Sequence, residues 1–209
     1  MIFALVILYV VTLVYLSITE RYRNYASLIA LQGWILFFVA LLKLHTIELS
    51  EMIFVVAETL IFKAIIVPRM LFRIIKRTKI NRIAPFGMTL TSSLLCSLLA
   101  LVMSVVITYY IADTSVNMIF LCVALYALLS GLLMVVTRRR IFSHLVGFLV
   151  VENGVFLFSM AMGVEMPFLI NIAILLDILI SVLMLGVFMN KLGDKMNVVD
   201  TDDLASLKD

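Results

Sequence analysis

Apolar residues along this chain gather into seven long runs separated by short polar or basic breaks. Read by hydropathy, the runs predict helices at about 2–18, 26–43, 52–75, 87–111, 115–136, 141–162 and 167–190. Most approach or exceed the roughly 20 apolar residues that a helix needs to cross a bilayer. Backbone groups in lipid must be bonded within their own segment, so closed helices are the expected elements. The pattern predicts an all-α, polytopic membrane protein of about seven transmembrane helices, with no room for a soluble domain. The first run reads as a span and not as a cleaved leader, because no basic stretch precedes it and no small-residue cleavage site follows.

The breaks between runs carry the charge. Arg21 and Arg23 lie in the first, and Arg73, Lys76, Arg77, Lys79 and Arg82 in the third. Arg138, Arg139 and Arg140 lie in the fifth, and Lys191, Lys195 and Lys208 follow the last run. The opposite breaks hold only Lys43 among basic residues, beside His45, Glu48, Glu51, Asp113 and Glu165. This asymmetry predicts an N-terminus outside and a C-terminus in the cytoplasm. The basic breaks read as anchors for lipid headgroups, and part of the third as a possible dock for a partner. Composition agrees with the pattern: 65% of the residues are hydrophobic and 14% charged, and the mean hydropathy is +1.22. The net charge of +3 is the loop asymmetry, not a nucleic-acid footprint.

Candidate chemistry lies where polar residues interrupt the apolar runs. Lys63, Glu152 and Asp177 each sit near the middle of a predicted span. A charge at the bilayer centre costs about 2.5–3.5 kcal/mol on insertion scales, so such residues usually face a bundle interior and mark ion or proton paths. Lys63 lies too deep to snorkel, and Glu58 is about 140° around the same helix, so its partner should come from another span. Arg69 is close enough to the membrane surface to snorkel. Pro68 cannot donate to the carbonyl of Ala64, which predicts a bend a turn from Lys63. Glu152 and Asp177 fall halfway along consecutive antiparallel helices, hence side by side at one depth. Two carboxyls that close in low dielectric do not both ionise easily, which suits a site that exchanges protons near neutral pH. Lys63, Glu152 and Asp177, with Glu58 as an outer link, are the candidates for proton (or Na⁺) translocation. His144, as a link from Glu152 to the cytoplasmic water, and Asn153 are weaker candidates. The competing reading is a static buried ion pair that fixes helix packing.

Other chemistry finds no support. Cys96 and Cys122 fall inside predicted helices without a CxxC or a neighbouring histidine, and read as small packing residues. No dinucleotide or phosphate loop, zinc motif or serine elbow is present. No cofactor or metal is expected in this chain, and it is not expected to be an enzyme by itself. Gly131, Gly147, Gly154 and Gly186 lie within spans and permit close helix contact.

The stretches RRRIFSHLVGFLVVENGVFLF (138–158), EMPFLINIAILLDILISVLMLGVF (165–188), VVDTDDLASLKD (198–209) and FKAIIVPRML (62–71) resemble the hydrogenase-4 component E family. More distantly, the last three helices are similar to the K-type subunit of respiratory complex I and the C-type subunit of Mrp antiporters. The resemblance implies a four-helix membrane region over 1–112, a K-type-like three-helix region over 113–192 and a short acidic cytoplasmic tail over 193–209. It also implies a membrane-arm subunit of an energy-converting hydrogenase or related complex I-like assembly, in a prokaryotic cytoplasmic membrane. Its partners would be antiporter-like subunits and the membrane anchor of the catalytic arm, and any Ni-Fe or Fe-S centres would lie in partner subunits. Asp177 takes the place of the K-type last-helix carboxylate. Aligning Asn153 with the K-type asparagine sets the K-type glutamate near Leu149, one turn before Glu152. A purely structural subunit that braces its partners is the alternative. A self-contained seven-helix transporter or receptor fits less well, since inverted halves and paired broken helices are absent.

Overall fold

The computed structural model describes residues 1–19, 21–43, 59–78, 89–111, 116–138 and 141–162. All of them belong to one compact unit, Met1–Ile174. The described residues are helical throughout: α1 (Ile2–Ile18), α2 (Tyr22–Lys43), α3 (Thr59–Ile66 continuing through Val67–Thr78), α4 (Leu90–Ile111), α5 (Met118–Thr137) and α6 (Ile141–Met162). Among the described residues, four helices are long and apolar enough to cross a membrane: α2, α4, α5 and α6. The chain is therefore a membrane protein. At 17 residues α1 is equally apolar but shorter. The expected helix at 167–190, with Asp177 and Gly186, lies outside the described residues, as do Glu58 and the acidic tail.

Helix limits follow from local chemistry. The first turn of α5 is capped by Asn117, whose side chain accepts from the Phe120 N–H at 3.3 Å, which satisfies an otherwise orphan donor. The start of α2 lies four residues before the expected position. Arg21, Arg23 and Asn24 read as loop, but Tyr22 and Tyr25 are buried. The Tyr22 ring meets Phe142 of α6 edge-on at 4.7 Å. Burial of two aromatic rings outweighs the polar composition of that turn.

The irregularity expected at Pro68 takes an unexpected form. Thr59–Ile66 is π-helical, and the α-helix resumes at Val67, just before the proline. Pro68 has no N–H for the carbonyl of Ala64 in an α register or of Lys63 in a π register. The usual penalty for changing register is therefore reduced at this point.

Contacts at helix ends show an up-and-down arrangement. At one end, the Arg138 guanidinium donates to the Ser17 carbonyl at 2.6 Å, and Ser93 donates to the same oxygen at 2.9 Å. At the other end, the Asn117 N–H donates to the Ala161 carbonyl at 3.0 Å, and the Lys43 ammonium donates to the Met160 carbonyl. Lys43 also lies 4.2 Å from the centre of the Phe120 ring.

The tightest pairing joins α5 and α6. A Cβ on Gly131 would lie 2.7 Å from the Gly147 carbonyl oxygen, and one on Gly147 would lie 2.9 Å from that of Gly131. Only glycine at both positions lets the backbones meet, as the sequence led one to expect. On α4, the buried hydroxyls Ser93, Ser97, Ser104 and Thr108 share one face. Ser97 bonds the Tyr126 hydroxyl of α5 at 2.8 Å. Cys96 and Cys122 are half-buried free thiols, and Cys122 is not purely apolar packing, because its sulfur meets Ser104 Oγ at 3.7 Å.

Candidate buried-charge site

Lys63 is 4% exposed, at the centre of the π-helical part of α3. Its ammonium is 3.5 Å from Asn153 Oδ1 and 4.9 Å from the centre of the Phe156 ring. Both groups stand on α6, three residues apart and hence on one face. An amide oxygen and an aromatic face are both contacts that an ammonium makes well. The partner expected from another span is thus present, and it is a neutral amide.

The polar contacts continue beyond Asn153. Its Nδ2 donates to Gln32 Oε1 at 3.3 Å, and Gln32 Nε2 donates to Thr12 Oγ1 at 3.1 Å. The Thr12 hydroxyl donates to the Tyr9 carbonyl at 2.6 Å. Lys63, Asn153, Gln32 and Thr12 are all buried, so one line of hydrogen bonds joins α3, α6, α2 and α1 inside the bundle. Buried polar groups that are fully bonded add specificity to a core, while leaving any of them unbonded is costly.

A close backbone contact lies beside this line. A Cβ on Gly33 would lie 2.5 Å from the Lys63 carbonyl oxygen and 3.0 Å from Ala64 Cα. Gly33 thereby admits α3 against α2 at the level of the lysine, while its neighbour Gln32 reaches toward α6. A π-helical segment is rare, and is found frequently at functional sites.

Glu152 is half-buried on α6 beside Asn153, and successive helical residues point about 100° apart. It is also four residues before Phe156, and so shares with that ring the side of α6 that meets the Lys63 ammonium. Asp177 and Glu58 lie outside the described residues, and with them the expected carboxyl pairing. His144 is half-buried with its Nε2 against the Arg138 carbonyl. This contact binds the start of α6 to the end of α5 and gives no step toward Glu152. Arg69 is exposed, consistent with snorkelling. Arg138 corrects its sequence reading: it is 4% exposed and ties α5 to the end of α1, so it is not a headgroup anchor.

Sequence reasoning missed Gln32 and Thr12. Gln32 carried a usable signal, as a lone amide in the apolar run LIALQGWILF and followed by the glycine that allows close approach. Thr12 carried none, since a threonine in an apolar helix commonly bonds its own backbone. Among the described residues, no group of three or more His, Cys, Asp or Glu is placed to hold a metal ion. No family model matches the chain, and no curated protein or solved structure matches it either.

Proposed function

We propose that this chain is a membrane-arm subunit of an energy-converting hydrogenase or related complex I-like assembly. In this reading it contributes to proton (or Na⁺) translocation in a prokaryotic cytoplasmic membrane. The observation that carries the reading is Lys63: an ammonium removed from lipid, mid-way along an apolar segment, and bonded to polar groups from other helices. Ionisable groups retained at that depth, facing the bundle, are characteristic of ion and proton pathways. The resemblance of residues 62–71, 138–158, 165–188 and 198–209 to the hydrogenase-4 component E family supplies the type of complex. Lys63, Glu152 and Asp177 act as charge-holding stations along a polar axis, with Glu58 as the outer link. The stations continue into antiporter-like and membrane-anchor partners, where the redox chemistry resides. The exposed arginines Arg21 and Arg23 at the start of α2 are assigned to the cytoplasmic side.

A structural subunit that only braces its partners is the second reading. The neutral character of the Asn153–Gln32–Thr12 line favours it, because those contacts of Lys63 involve no moving charge. Substitution separates the two. Glu152→Gln and Asp177→Asn should leave the chain co-purifying with large antiporter-like subunits while proton translocation in reconstituted vesicles falls severalfold. Undiminished translocation by both variants would refute the transport role, and purification as a stable, solitary chain would refute the subunit role.

A further inference from the structure

The hydrogen bonds that lead to Lys63 have a fixed direction. The Tyr9 carbonyl can only accept, so the Thr12 hydroxyl donates to it and keeps its oxygen free to accept from Gln32 Nε2. A carboxamide carries its donors and its acceptor on opposite arms of one plane. Fixing the NH₂ of Gln32 on Thr12 therefore turns its oxygen to Asn153, and fixing the NH₂ of Asn153 on Gln32 turns its oxygen to the Lys63 ammonium. Four bonds point one way, and both ends enforce that sense: the Tyr9 carbonyl only accepts, and the Lys63 ammonium only donates.

The same geometry decides what this line does. Carboxamides do not take up a proton near neutral pH, and the far end closes on a carbonyl within a helix. A proton leaving Lys63 in this direction would have no acceptor. The line holds the ammonium in place and does not conduct.

We infer that Thr12 and Gln32 are positioning residues for Lys63, which act by presenting the Asn153 oxygen to its ammonium. Without them the Asn153 NH₂ loses its acceptor, and its oxygen is held toward the cation by the ammonium alone. The inference deepens the translocation reading and rests on it for the transport measurement alone. The coupling to Lys63 stands independently of what Lys63 does.

The test is a double-mutant cycle in the full chain with its co-purifying subunits. Thr12→Val keeps the shape of the side chain and removes the hydroxyl, and Thr12→Ser restores it. Each is made in the wild-type and the Lys63→Met background, and the melting midpoint and the vesicle proton uptake are read. Thr12→Val should lower the midpoint by about 2–4 °C and slow uptake severalfold, with both recovered in Thr12→Ser. In the Lys63→Met background its effect on the midpoint should fall to less than half. An equal loss of midpoint in both backgrounds, or failure of Thr12→Ser to restore it, would overturn the inference. Full uptake by Lys63→Met would instead remove the transport reading, and the melting midpoints would still decide whether Thr12 positions the lysine.

Discussion

Lys63 and Asn153 differ in what their loss leaves behind. Removing the lysine leaves neutral amides that still bond to one another. Removing the amide leaves a buried ammonium facing Phe156 without its Asn153 acceptor. Breaking one side of a buried charged contact costs more than deleting the charge itself. Asn153→Leu should therefore destabilise the chain by roughly 1.5–3 kcal/mol, and Lys63→Met by clearly less, as measured by thermal unfolding in detergent. At this scale the sequence announced Lys63 well, since a charge amid apolar neighbours has few tolerable locations. It concealed the partners. Asn153 drew notice as a weak candidate and by its alignment with the K-type asparagine, not as a partner of Lys63, and Thr12 looks like any helix threonine. The burial of Arg138 was hidden for the same reason: a three-arginine run reads as a solvated loop until one of its members is seen on the Ser17 carbonyl.

Among the elements, α1 and α6 match their hydropathy limits because each is bounded by an abrupt change in polarity. The start of α2 does not, because tyrosines at its first turns are buried by contacts with distant residues that no local pattern reveals. The π-helical part of α3 is likewise a tertiary result, prepared by Pro68 but shaped by the backbone of α2. The contact at Gly33 is the sensitive point. Gly33→Ala places a methyl group 2.5 Å from the Lys63 carbonyl oxygen, and neither backbone can turn aside as a side chain would. The substitution should cost on the order of 1–3 kcal/mol by overpacking. It should also separate α2 from α3, seen as lost disulfide cross-linking between cysteines introduced at positions 29 and 67. Retained cross-linking at the wild-type rate would show that the close approach is dispensable.

For the molecule as a whole, hydrophobic patterning gave the helical membrane architecture, and the alternation of helix ends agrees with it. What joins the helices was less legible. Glycine contacts hold α5 to α6, hydroxyls line the α4 face toward α5, and one line of amides gathers α1, α2, α3 and α6 around a single cation. Those links depend on which faces meet, and hydropathy does not report that. In the proposed transport role, because the amide line ends on the Tyr9 carbonyl, charge exchanged at Lys63 would travel by another side of the residue. Glu152, one turn from Phe156 on α6, and Asp177 are the groups proposed for that route. Proton uptake by inverted membrane vesicles carrying Lys63→Met, energised through the assembled complex and compared with wild type, tests the account most directly. Normal assembly with most of the uptake lost is the predicted result, and normal assembly with wild-type uptake would contradict it.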